Sequence, residues 1–293
     1  MKIVPFLFLG LLVLGVSTAS AHGPGHVHRG TERAAVDEAL GLQETAIPVE
    51  GADADRWWGV NVNTGWESRH VHYGVDESGP TGAYVNEVGV NFGDLSFNVW
   101  NGLGTGNQLL EWDFTVAYNI DLGPVFIVPG YNLRYVPSYG IKEEEHGEEE
   151  HAEEEEHAEE EDHGGHVHNT VGNELFIVLG TTAIPYVTPS VNFIWDLNNN
   201  PGGFMEARLD GNLPLYKDIV SLQPYALLGL NFGYNTSDYY GWNNFQFGGQ
   251  VTTALTKYIS VFAGVNYSVS LEAMQQIDQE NIVWANVGFS FAY

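Results

Sequence analysis

The residues best suited to chemistry in this chain are concentrated in one tract. Glu and Asp fill 14 of the 20 positions from 143 to 162, and His146, His151, His157, His163, His166 and His168 run through and beyond them. Neutral imidazole is the commonest side-chain ligand for transition metals, and a tract rich in it reads as metal-binding. Zinc, nickel and copper all accept imidazole, and neighbouring carboxylates add attraction. His163, His166 and His168 are the densest group and the first expected ligands. His22, His26 and His28 repeat the pattern near the N-terminus, and His70 and His72 form a third group. Like charges repel along the tract and nothing in it can be buried, so 138–172 is expected to be a disordered acidic loop. A rigid metal site needs fixed geometry and supporting hydrogen bonds. The expectation is therefore weak capture of divalent metal, with no cofactor required. The same composition also suits a solvated acidic screen whose histidines are incidental.

Other chemistries are excluded by composition. There is no cysteine, so structural disulfides and thiolate metal sites do not arise. Acidic residues outnumber basic ones 38 to 10, giving a formal net charge of -28. Nucleic acid is an unsuitable partner, because binding it requires a basic face. Catalysis would need a histidine beside an acid or serine. His70 and His72, with Glu67 and Ser68 nearby, are the only candidates outside the tract and the N-terminal cluster. Their spacing matches no triad, and no enzyme is expected.

The elements that must position these residues are strands. The chain opens with Lys2, an apolar run over 3–16, and Ala19, Ser20 and Ala21 as a small-residue cleavage motif. This predicts a secretory signal over 1–21, with His22 first after cleavage. The run is short for a membrane helix of about 20 residues. Residues 22–55 are expected to form a His-containing periplasmic segment, either mobile or a partial plug. No later stretch of 18 apolar residues occurs, so a membrane crossing would have to be a closed barrel, in which every backbone group is paired.

Period-two alternation supports that barrel. Leu110, Trp112, Phe114, Val116, Tyr118 and Ile120 alternate with Glu111, Asp113, Thr115, Ala117 and Asn119. In the last strand, Val283, Ala285, Val287, Phe289, Phe291 and Tyr293 share one face. Apolar-out, polar-in alternation marks a transmembrane strand. The terminal Tyr293 resembles the final aromatic residue that barrel-assembly machinery recognises. Twelve strands are expected, near 56–64, 83–92, 95–101, 110–120, 125–136, 174–181, 186–196, 204–211, 221–233, 244–255, 258–268 and 282–293. Short connections alternate with longer ones, from 197–203 up to 137–173. This predicts an all-β, antiparallel transmembrane β-barrel over 56–293, with both termini periplasmic and the long loops outside.

The polar strand faces give the expected lumen: Glu87, Glu111, Asp113, Glu174, Asp196, Glu206 and Asp210, with Arg134 and Arg208. Such an acid excess favours cations in a pore. The alternative is a plugged lumen in which these groups pair with one another, for example Glu206 with Arg208.

The first half of the barrel carries a resemblance. Gly65 to Val75, with Trp66, Arg69 and Gly74, then Ser78, Gly79 and Pro80, resembles the opening segment of the TorF-type porins of Gram-negative bacteria. There an aromatic, an arginine and a Gly-Val pair follow the first strand. Val99, Trp100 and Asn101 resemble their tryptophan segment, and Glu111 to Asp113 with Tyr118 resembles their Glu-x-Asp strand. Tyr131 to Pro137 and Glu174 to Phe176 resemble the next two strands. The match spans 58–180. His70 stands where the family usually has glycine, and the His/Glu tract is inserted. The resemblance implies an outer-membrane, porin-like protein without specifying a solute. The expectation is a channel for small, preferentially cationic solutes, its outer loop capturing divalent metal, its partners membrane lipid and the assembly machinery. The alternative is a non-conducting structural or adhesive barrel.

Overall fold

The computed structural model describes residues 57–106, 110–137, 170–199, 201–217, 219–237 and 239–293. The expected leader over 1–21, the 22–55 segment and the tract histidines lie outside the described residues. So do His22, His26 and His28.

Twelve long strands form the fold: β1 Trp58–Glu67, β2 Ala83–Phe92, β3 Leu95–Gly104, β4 Leu110–Tyr118, β5 Val125–Val136 and β6 Thr170–Thr181, then β7 Val187–Asp196, β8 Gly202–Gly211, β9 Val220–Phe232, β10 Tyr240–Ala254, β11 Ile259–Ser270 and β12 Ile282–Ala292. Each pairs antiparallel with its neighbours in sequence, and β1 pairs with β12, from Asn61 opposite Ala292 to Glu67 opposite Asn286. The sheet is thus closed and has no free edge. No described helix is long and apolar enough to cross a membrane.

Side-chain alternation sets what each face meets. Along β4, Trp112, Phe114, Val116 and Tyr118 are exposed, while Glu111, Thr115 and Ala117 are buried. In β12, Val283, Val287 and Phe289 face outward, and Trp284, Asn286 and Ser290 are buried. A water-soluble barrel would bury its apolar face, so the outward apolar belt is the surface of a membrane barrel. Exposed aromatics gather at both ends. Trp58, Phe92, Tyr118, Tyr186, Tyr216 and Tyr293 ring the short-turn rim, and Tyr84, Trp195, Tyr240 and Trp242 the long-loop rim. Such girdles sit at the two membrane–water interfaces.

The strands extend further than the sequence pattern suggests. β1 continues to Glu67, where Trp66 and Glu67 pair with Tyr84 and Ala83. β6 starts at Thr170, inside the segment assigned to the 138–172 loop, because Thr170, Val171 and Gly172 pair with Val136, Tyr135 and Arg134. Two of the long-side connections, 105–109 and 197–201, shrink to the length of the short turns.

The inward faces are also not uniformly polar. Ala117, Phe126, Val128, Phe176, Val178 and Ile194 form a buried apolar cluster inside β4–β7. Gly130 makes room for it: a Cβ there would lie 1.9 Å from Phe176 Cζ. Period-two alternation is blurred in β5 and β6 because both faces are apolar, one toward lipid and one toward this cluster.

Candidate functional site: the loop-lined mouth of the barrel

Twelve strands about 4.8 Å apart and tilted about 40° make a backbone barrel roughly 24 Å across. That leaves room for a chain segment inside, and the connection between β1 and β2 takes it. Val71–His72 pairs with Val75–Asp76 in a small hairpin of its own. Tyr73 and Gly74 turn it, both with positive φ (47° and 85°), the backbone that a two-residue hairpin turn demands. Gly74 also meets the opposite wall closely, since a Cβ there would lie 2.9 Å from Asn244 Cγ.

This loop is fastened on both sides of the mouth. On the far wall, the Tyr73 carbonyl accepts hydrogen bonds from Asn243 Nδ2 at 2.7 Å and Asn235 Nδ2 at 3.0 Å. The Tyr73 ring packs on Phe204 (centroids 4.7 Å apart) and edge-on to Tyr234. The Asp76 amide donates to Gln279 Oε1 at 3.1 Å, in the β11–β12 connection. On the near wall, Arg134 Nη2 donates to Glu77 Oε1 at 2.7 Å and to Glu111 Oε2 at 2.8 Å. One guanidinium from β5 thus joins a loop carboxylate to a strand carboxylate. Arg134 Nε also lies 2.7 Å from Glu111 Oε1, but its N–H points off that oxygen.

The loop histidines belong to the same assembly. His70 Nδ1 is 3.0 Å from Glu67 Oε2, and its ring stacks on Trp100 at 4.9 Å. His72 Nδ1 lies 3.7 Å from Glu77 Oε1. Burial alone would lower the His70 pKa; the hydrogen bond and charge of Glu67, with the charges of Glu77 and Glu111, raise it to about 9. Burial would raise Glu77, but the Arg134 guanidinium, with His72 and His70, holds it well below the usual carboxylate range.

Four of the nine expected lumen residues come together here. Arg134 and Glu111 form the bridge, and Asn132 Nδ2 donates to both Asp113 (3.3 Å) and Glu174 (3.1 Å). The Tyr234 hydroxyl donates to Glu174 Oε1. A second group lies toward the short-turn end of β8. There Arg208 Nε donates to Asp210 at 2.7 Å, Nη1 lies 3.8 Å from Glu206, and the guanidinium covers the Tyr225 ring. Glu87 and Asp196 stand apart. Glu87 accepts from Asn63 at 2.9 Å, and Asp196 Oδ1 accepts the Asn198 and Asn199 amides.

The sequence reading placed His70 and His72 in an outer loop but did not bring that loop into the barrel. Glu77, Tyr73 and Tyr234 were missed as members of the site, and Glu67 was named only as an acid near His70 and His72 in sequence. A signal was present: Val71 to Asp76 alternates about a Tyr-Gly pair, a hairpin pattern inside a loop.

No family model matches the chain, and no curated protein matches it. Among solved structures, the NanC porin is similar at 10% identity, with a TM-score of 0.48, over 79% of this chain and 98% of that one. The KdgM porin is similar at 8% identity and 0.46, over 80% and 99%. The translocator domain of the autotransporter NalP from Neisseria meningitidis follows at 10% and 0.40, over 89% and 98%.

Proposed function

We propose that this protein is an outer-membrane channel of porin type that passes small, preferentially cationic solutes. One observation carries the reading. All charged side chains of the twelve strands lie on β1–β8, as eight acids (Glu67, Glu87, Glu111, Asp113, Glu174, Asp196, Glu206 and Asp210) and two arginines. Both arginines are already engaged by acids. The uncompensated charge inside is therefore negative, and carboxylate-lined paths favour cations. The remaining wall offers amides and hydroxyls. Gln246 Nε2 donates to the Tyr225 hydroxyl, Tyr225 to Asn266, and Asn286 to Gln250. A hydrated cation could exchange these groups for water without meeting a fixed positive charge.

In this reading 1–21 is a cleaved leader, both termini face the periplasm, and folding depends on the barrel-assembly machinery. The tract over 138–169 faces outward and captures zinc, nickel or copper weakly, raising its concentration at the mouth. No part of the reading requires catalysis. The loop fastened across the mouth is the specific observation favouring the rival, a non-conducting structural barrel.

Planar-bilayer recording separates the two. The refolded protein is expected to give discrete conductance steps with cation over anion preference. Absence of steps at all voltages would leave the structural barrel. Zinc calorimetry beside a variant lacking 143–168 tests the tract, where several weak sites should vanish with the deletion. Identical heats would make the tract a charged screen.

A further inference from the structure

Outside the tract, three side chains that can ligate metal lie close together among the described residues. We propose that His72, Glu77 and Glu111 form a divalent transition-metal site that ties the β1–β2 loop to the barrel wall. One ligand atom from each lies within 4.8 Å of the other two. Two of the residues ride on the loop and the third on β4, so a bound ion would cross-link the two.

The donor set suits zinc or a metal like it. Imidazole nitrogen and carboxylate oxygen are ligands for such ions, and three protein ligands leave one position for water. Tetrahedral ligands about 2.1 Å from zinc are roughly 3.4 Å apart, so the cluster must close by about 1–1.5 Å. The loop side chains can supply that movement, because His72 makes no contact with Glu77 shorter than 3.7 Å.

Two buried atoms point the same way. Glu77 Oε2 is shielded from solvent and makes no hydrogen bond among the described residues. Asp113 Oδ1 is in the same position. Arg134 occupies Glu77 Oε1 and Glu111 Oε2, and the remaining Glu77 oxygen has only the His70 ring beside it, Nε2 lying 4.0 Å away, beyond hydrogen-bond reach. Electrostatics agree. Glu77, Glu111, Asp113 and Glu174 gather around Arg134, with the His70 ring 4.0 Å from Glu77 as the other basic group, and Asp113 and Glu174 share one neutral donor. Buried like charges are costly unless a counter-ion joins them. A divalent ion at Glu77 and Glu111 would cancel most of the surplus while Arg134 keeps its place.

The test uses the full chain with His22, His26, His28 and the six tract histidines all replaced by Gln, refolded in detergent and titrated with zinc by calorimetry. The cobalt absorption spectrum gives a second readout. The expected result is one zinc per chain, weakened at least tenfold by His72→Gln and by Glu77→Gln, with hydrogen exchange over 69–78 slowed by the metal. His72→Gln disturbs no hydrogen bond shorter than 3.5 Å and should not unfold the loop, and the heat-induced gel shift of the barrel checks folding in every variant. No zinc bound on the nine-substitution background, or binding unchanged in His72→Gln, overturns the proposal. The assay involves no conductance, so it stands whether or not the barrel conducts.

Discussion

The two arcs of the barrel are built on different chemistry. β1–β8 carry every charged side chain of the strands, whereas β9–β12 carry none and face inward with Gln223, Tyr225, Gln250, Asn266, Asn286 and Ser290. The loop in the mouth is fastened to both arcs, and each fastening uses the chemistry of its wall. Toward β4 and β5 it is the Glu77–Arg134–Glu111 bridge. Toward β10 and the β9–β10 and β11–β12 connections it is backbone held by Asn243, Asn235 and Gln279. A charged fastening is strong only while both signs are present, and it responds to pH and salt. An amide fastening does neither. One side of the loop is therefore tunable and the other is fixed.

The largest expected effect comes from breaking the tunable side. Arg134→Met strips Glu111 of its cation and leaves Glu77 only the His70 and His72 rings, a loss of roughly 3–5 kcal/mol. Denaturant titration of the refolded barrel should show it, with fast hydrogen exchange over 69–78. A drop confined to a few tenths of a kcal/mol would mean that Asn243, Asn235 and Gln279 hold the loop alone.

Next comes alkaline pH. The His70 pKa is raised to about 9 in the folded loop, so its contribution is complete below its ordinary value of about 6.5 and lost as pH rises through 9. The effect should be on the order of 1–3 kcal/mol, seen as faster exchange of the loop above pH 9, and absent in His70→Gln. Glu77 acts oppositely. Its pKa is depressed, so its contribution is present at neutral pH and lost only when pH falls through the lowered folded value. The Asn243 contacts should be indifferent across the whole range.

On the neutral arc, Gln250→Leu removes hydrogen bonds to Gln223 and from Asn286. It should cost about 1 kcal/mol, equally at pH 6 and pH 10. A strong pH dependence there would erase the distinction between the arcs. The smallest effect belongs to Arg69→Ala. Its pair with Asp76 is 2.7 Å long, but the arginine side chain is 39% exposed, so the change should stay within about 0.2–1 kcal/mol and fade with salt.

The strands were legible because alternation in β4 or β12 sorts side chains without regard to neighbours. Where both faces are apolar, as at Phe176 to Leu179, alternation names no inside. Phe126 and Phe176 were thus not foreseen as an inward cluster. The acids of the lumen were legible one by one, since a strand fixes which way Glu111 or Glu174 points. Among their partners, Arg208 beside Glu206 was legible, two positions along the same strand face, and the distant ones were not. Arg134 meets Glu77 across 57 residues of sequence, and nothing local records that encounter. The loop's inward course depends on Tyr73 finding Phe204 and Tyr234, a packing choice made in three dimensions. The tract and the N-terminal histidines lie outside the described residues, and their metal chemistry rests on sequence alone.

The central claim is that the acids of the charged arc govern what enters. The most direct measurement is the reversal potential in planar bilayers under a tenfold potassium chloride gradient, comparing the wild type with Glu111→Gln/Asp113→Asn/Glu174→Gln. The account predicts a cation-selective wild type, with a reversal potential approaching the limit of about 59 mV for a univalent ion, and a variant shifted well toward zero. A wild type that prefers chloride, or a variant with unchanged selectivity, would contradict it.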